Sequence, residues 1–187
     1  MKRRLFLAIP LSESIKTTIL SFYQEQTPVI QSIVGPPKWV QPRNLHMTVL
    51  FLGDVEEKDI CLLQQRLSQE CLKLSKFTLA FDKFIYAPAG NMHRMVWATY
   101  QTHASFLSLC NSCRLAVSIL PYLQLDIRHP KAHITLVRFG QFRASQLPSL
   151  ETSLVLDSLE VHTLELWEST LKPTGAVYNS LLRFELG

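Results

Sequence analysis

The sequence predicts an α+β fold with largely antiparallel sheets, built as two lobes of like construction. Three observations lead there. Strand-like and helix-like stretches are mixed, in the order strand–helix–strand–helix–strand–strand–helix–strand–strand–strand. Hairpin signals are frequent. A short pattern, His-x-Thr, occurs twice at close to half-chain separation, as His46-Met47-Thr48 and His133-Ile134-Thr135. Each copy opens an apolar run that ends at a glycine, Gly53 or Gly140. No GxGxxG or Walker loop is present, so neither nucleotide-binding α/β signature applies.

The elements follow from the chain in order. Residues 3–9 read as a buried strand that Pro10 ends. Ser12 is a candidate N-cap for a helix over 13–26, with Ile15, Ile19, Phe22 and Tyr23 on one side. Pro28, Gly35, Pro36 and Pro37 mark a loop. Lys38-Trp39-Val40 is a short extended piece, and Gln41-Pro42-Arg43 turns the chain into the first histidine strand, which Gly53 closes. Residues 56–74 form a helix with Ile60, Leu63, Leu67, Cys71 and Leu74 at helical spacing. Residues 76–86 alternate as one strand, 87–91 turn, and 94–100 form the next strand. A helix over 103–119 stops at Pro121, and 132–139 is the second histidine strand. After a polar loop with a short helix, 159–171 and 177–186 read as a hairpin joined by Lys172-Pro173-Thr174-Gly175.

At 187 residues, 47% hydrophobic and 18% charged, the chain fits one compact domain or two small lobes sharing a core. Its net charge of +4 is compatible with a phosphate-bearing partner but is equally that of an ordinary soluble protein. The basic start Met1-Lys2-Arg3-Arg4 precedes only a short apolar run with no cleavage signal, so it reads as a strand entry and not a leader. No apolar stretch approaches the ~18 residues of a membrane span. Cys61, Cys71, Cys110 and Cys113 sit in helix-like segments and read as buried free thiols of a cytoplasmic protein. Cys110 and Cys113 form a lone CxxC without a second pair, and His129 is separated from His133 by Pro130 and a strand start, so no metal site is expected.

The two motifs carry the chemistry. In a strand, residues i and i+2 share a face about 7 Å apart, so each copy presents an imidazole beside a hydroxyl. An imidazole gives or takes a proton near neutrality, and a hydroxyl donates to an anionic oxygen. Two such pairs across a cleft suit in-line displacement at phosphorus, one histidine activating the nucleophile and the other protonating the leaving oxygen. A lone histidine beside an apolar run is usually structural; that reading is kept for His93, His103 and His162. Among aromatic side chains able to stack on a base, Phe51 and Trp97 are read as core, leaving Trp39 and Tyr178 as substrate-binding candidates.

These residues resemble the bacterial and archaeal RNA 2′,3′-cyclic phosphodiesterases, long called 2′-5′ RNA ligases, of the two-histidine phosphoesterase superfamily. The resemblance runs nearly end to end: Arg4-Leu5-Phe6-Leu7-Ala8-Ile9, Trp39-Val40, Asn44 through Gly53, Arg94-Met95-Val96-Trp97, His133 through Arg138, and Leu166-Trp167-Glu168-Ser169-Thr170-Leu171 with Gly175 and Tyr178. It implies one bilobal α+β domain over 1–187, one His-x-Thr per lobe, with two mainly antiparallel sheets facing a central groove and helices outside. It implies opening of a 2′,3′-cyclic phosphate on RNA or a nucleotide to a 2′-phosphate without metal or cofactor; a monomer is expected, though no residue pattern speaks to it. On that mapping His46 is the proton donor, His133 the proton acceptor, Thr48 and Thr135 hold the phosphate, and Arg138 belongs to the phosphate site. Strict alternation places 133, 135 and 137 on one face and 138 on the other, a conflict that a bend or a strand end near Arg138 would resolve. Ligation or cleavage of 2′-5′ linkages would use the same residues, and a non-catalytic nucleotide-binding module is the remaining alternative.

Overall fold

The computed structural model describes residues 1–125, 129–173 and 175–187. In chain order the strands are β1 (Lys2–Pro10), β2 (Lys38–Trp39), β3 (His46–Glu56), β4 (Phe77–Leu79), β5 (Phe81–Ala87), β6 (Met92–Tyr100), β7 (His133–Arg143), β8 (Leu159–Val161), β9 (Thr163–Lys172) and β10 (Gly175–Glu185). The helices are α1 (Glu13–Val34), α2 (Ile60–Cys71) and α3 (Ala104–Val117). The α+β class and the antiparallel pairing are as expected from the sequence.

The main sheet has the order β10-β9-β1-β3-β7-β6-β5, with β2 alongside β7. Its two halves touch at one register pair, Met47 of β3 with Ile134 of β7. Each half is tightly laddered within itself, so the sheet is two antiparallel arrays joined at a narrow seam. The two His-x-Thr motifs lie on the two sides of that seam. The core fills one face: Leu5, Leu7 and Ile9 from β1, Met47, Val49, Leu50 and Leu52 from β3, and Ile134, Leu136 and Val137 from β7. Ile15, Ile19 and Phe22 of α1, Leu63 and Leu67 of α2, and Phe106 and Leu109 of α3 complete it. The opposite face carries a separate small cluster of Phe6, Ala8 and Trp167, with Tyr178 packed against it. β1 is thus buried on both faces, which is why Leu5 to Ile9 read as a continuous apolar run.

Several boundaries differ from the sequence expectation: α2 is shorter than 56–74, β7 runs beyond 139 to Arg143, and four further differences have a physical reason. Helix α1 continues through Pro28 to Val34. A proline inside a helix costs about 3 kcal/mol, chiefly one lost backbone bond and a clash. Here the Thr27 hydroxyl donates to the Tyr23 carbonyl at 2.6 Å, and Ile30 beyond the proline is fully buried. Burial of such a side chain is worth ~1.5–3 kcal/mol, of the same size as the cost. Strand β3 runs past Gly53 to Glu56, because Gly53 adopts φ 74° where the register steps from Phe6–Phe51 to Leu5–Gly53. The single strand expected over 76–86 breaks at Ala80, and that over 159–171 breaks at His162. Both breaks are one event: β4 and β8 leave the main sheet to pair with each other. The β9–β10 hairpin forms as expected; Thr174 of its turn lies outside the described residues. The four cysteines are free; Cys71, Cys110 and Cys113 are buried as expected but Cys61 is exposed, and burial pushes the Cys110 thiol up to about 12. No helix among the described residues is long and apolar enough to cross a membrane.

Candidate active site

The two motif strands are built alike beyond the tripeptide. In β3 the partner register on β1 steps from Ala8–Thr48 to Leu7–Leu50, leaving Val49 as an extra residue. In β7 the register on β6 steps from Trp97–Thr135 to Val96–Val137, leaving Leu136 extra. Each is a β-bulge, and a bulge resets the alternation. In both strands the two residues after the threonine are buried, and the third turns back to the face of the histidine. That third residue is Phe51 in β3 and Arg138 in β7. Of a bend or a strand end, the structure has the bend: β7 runs on to Arg143, and its bulge brings Arg138 to the side of His133 and Thr135.

At the seam, the antiparallel pairing of Met47 with Ile134 sets His46 toward Thr135 and Thr48 toward His133. The imidazoles are held identically. His46 Nδ1–H donates to the Asn44 carbonyl at 2.7 Å, and His133 Nδ1–H donates to the Lys131 carbonyl at 2.8 Å. These bonds fix the tautomer, so Nε2 is the working atom of each ring. The Thr48 hydroxyl lies 2.9 Å from His46 Nε2 and donates to it when the ring is neutral. His46 sits among Phe6, Trp167 and Tyr178, with centroid distances of 4.9, 5.1 and 5.4 Å. His133 stacks on Trp97 at 3.9 Å with planes 28° apart.

This environment opposes imidazolium. Desolvation first, then the charges of His133 and Arg138, together lower His46 to about 4 against the raising effect of the Asn44 carbonyl. His133 is lowered by desolvation first, then by Arg138 and Lys131. Arg138 thus acts on both rings. Its nearest side-chain partner is the Met95 sulfur, 3.6 Å from Nη1, and among the described residues no carboxylate pairs with it. Two near-neutral imidazoles, two hydroxyls and an uncompensated guanidinium form a site that favours an anion, whose charge would restore the imidazolium.

Of the residues singled out from sequence, the structure brings His46, Thr48, His133, Thr135, Arg138 and Tyr178 to this face. Trp39 is not among them. It pairs with the fully buried Val137 and packs on Tyr23 at 4.3 Å and Phe22 at 6.4 Å, on the core side. Side chains of directly opposed residues share a face, so Val137 takes Trp39 with it. The core reading of Phe51 and Trp97 is also corrected: Phe51 is 57% exposed, and Trp97 lies against His133. Sequence reading missed Phe6, Trp167 and Asn44. Phe6 sits on a strand apolar on both faces, where alternation gives no contrast, and Trp167 shares its face of β9 with the polar Thr163 and Glu165, which reads as a solvent face. Trp167 is held by a 2.6 Å bond from its indole N–H to Glu165. Among the described residues, no three His, Cys, Asp or Glu side chains gather as a metal site.

Residues 14–97 match the family described as LigT like Phosphoesterase. An RNA 2′,3′-cyclic phosphodiesterase of Thermus thermophilus is 31% identical, covering 98% of this chain and 90% of its own length. One of Methanocaldococcus jannaschii is 30% identical, covering 94% of this chain and 96% of its own. The crystal structure of TT0787 of Thermus thermophilus superposes with a TM-score of 0.78 at 28% identity, over 98% of this chain and 97% of that one. With near-complete coverage on both sides and the motif strands inside the aligned length, this chain belongs to the LigT-like phosphoesterase family.

Proposed function

We propose that this protein hydrolyses the 2′,3′-cyclic phosphate ends of RNA or nucleotides to 2′-phosphates, by acid–base catalysis between His46 and His133. The relatives above carry the name of that activity. The observation that carries the mechanism is the matched pair of imidazoles on adjoining strands, each with Nδ1–H tied to the carbonyl two residues back and Nε2 left to work. The phosphate lies against Arg138, with the Thr48 and Thr135 hydroxyls donating to its non-bridging oxygens. His133 Nε2 takes a proton from water as the water oxygen bonds to phosphorus. The bond from phosphorus to the 3′ oxygen breaks in line, and His46 Nε2–H delivers its proton there. The opposition of the site to charge on His46 makes its imidazolium a strong acid, which suits a poor alkoxide leaving group.

The reaction asks for no metal: the histidines move both protons and Arg138 offsets the phosphate charge. We read the chain as one bilobal domain with a His-x-Thr on each side of the seam, acting as a monomer in the cytoplasm, a setting that suits four free thiols. The test is turnover of a nucleoside 2′,3′-cyclic phosphate in excess EDTA, with the product phosphate mapped. Undiminished turnover to the 2′-phosphate is expected; a 3′-phosphate product, or activity that returns only with a divalent ion, overturns the reading.

A further inference from the structure

Asn44 joins two parts of the molecule that are distant in sequence. It is 6% exposed, and it lies two residues before the first motif strand begins at His46. Its backbone carbonyl accepts from His46 Nδ1. Its side-chain Nδ2 donates to the Ala176 carbonyl at 2.8 Å, and its Oδ1 accepts from the Tyr178 amide at a longer 3.4 Å. Ala176 and Tyr178 lie on β10, an edge strand whose outer backbone groups have no strand neighbour. The carboxamide takes the place of the missing peptide group, bonding the carbonyl of one residue and the amide two residues on. The tip of the β9–β10 hairpin is thereby drawn over the site face, and the Tyr178 ring is set edge-on to His46 at 84° and to Phe6 at 73°.

We propose that Asn44 is a positioning residue that latches the hairpin over His46 and so keeps water from that imidazole. The proposal rests on the acid role assigned to His46 only for its catalytic consequence; the latch itself is a property of the free protein. The groups around His46 are Phe6 from β1, Thr48 from β3, His133 and Arg138 from β7, Trp167 backed by Glu165 from β9, and Tyr178 from β10. His133 and Arg138 supply the opposing charges, and an Asn44→Ala change touches neither. Any change in His46 titration in that variant therefore reports hydration. The backbone carbonyl that orients the ring is also retained.

The experiment is an NMR titration of the His46 ring, with amide exchange at Tyr178, in wild type and Asn44→Ala without substrate. The expected result is a rise of about one pH unit or more in the His46 midpoint, toward the ordinary imidazole value. Tyr178 amide exchange should speed at least severalfold while His133 titrates as before. A folded Asn44→Ala protein with an unmoved His46 midpoint overturns the proposal, whatever happens at Tyr178. Should Asn44→Ala not fold, Tyr178→Ala removes the covering ring with the latch intact. It too should raise the midpoint, and an unchanged value there is equally fatal. Both readouts need no turnover, so they stand apart from the test of the cyclic-phosphate reading.

Discussion

At the scale of single residues, the site works through proton and charge placement. The free-enzyme profile in kcat/KM should be bell-shaped, since one imidazole must be charged and the other neutral. Desolvation lowers both, His46 to about 4, so the optimum in kcat/KM should fall below the unperturbed imidazole value of ~6.5. A bound phosphodiester favours imidazolium, so the kcat profile should lie at higher pH. Paired profiles measure this; a kcat/KM optimum well above neutrality would contradict the desolvated site. The hydroxyls are tested by Thr48→Ala and Thr135→Ala, each expected to lower kcat by roughly 10²-fold, the lower end for removal of one donor to developing charge. Thr→Ser at either position should cost less, because the donor survives. Variants with wild-type rates would make the threonines ordinary strand residues.

At the scale of elements, the paired bulges in β3 and β7 decide what the site contains. They turn Phe51 and Arg138 out of the core and make one half of the face aromatic and the other cationic. Arg138→Ala should raise KM about tenfold or more, as expected for a charged hydrogen bond. It should also raise the titration midpoints of both His46 and His133, since Arg138 lowers each. A KM effect without movement of either midpoint would place the guanidinium away from the rings. The motif strands were legible because two His-x-Thr copies opened matched apolar runs. The bulge in β3 was not, since the buried pair Val49-Leu50 looks like any strand interior; that in β7 showed only as the parity conflict at Arg138. The same blindness misplaced Trp39, Phe51 and Trp97: an aromatic on a strand shows its face only through its partner, and Val137, Phe6 and Thr135 are the partners that decide. The exchange of β4 and β8 out of the main sheet left no mark at Ala80 or His162, neither of which breaks a strand by itself. The extension of α1 past Pro28 depends on burial of Ile30, which a local proline rule does not weigh.

At the scale of the whole molecule, the seam couples folding to the state of the histidines. A histidine whose pKa is depressed in the fold binds fewer protons there than in the unfolded chain. Its stability contribution is complete above the unfolded value of ~6.5 and is lost as pH falls toward the folded value, here about 4 for His46. Denaturant melts at pH 7 and pH 4.5 should show wild type losing more stability than His46→Gln, by on the order of 2 kcal/mol at ~1.4 kcal/mol per pH unit. Glu168, held below its ordinary value by Arg3, adds acid sensitivity only at the lower end of that range. Equal losses in the two proteins would show that His46 is not desolvated by the fold. In catalysis the two halves act on one displacement, so the His46→Ala/His133→Ala double variant should be little slower than the slower single, each single losing ~10²-fold or more. The central claim is that His46 protonates the leaving oxygen while His133 takes the proton of water. A nucleoside 2′,3′-cyclic phosphorothiolate with sulfur at the 3′ bridging position tests it most directly, because a thiolate leaves without a proton. The account predicts that this substrate restores turnover to His46→Ala and not to His133→Ala; rescue of His133→Ala alone, or of neither, would contradict it.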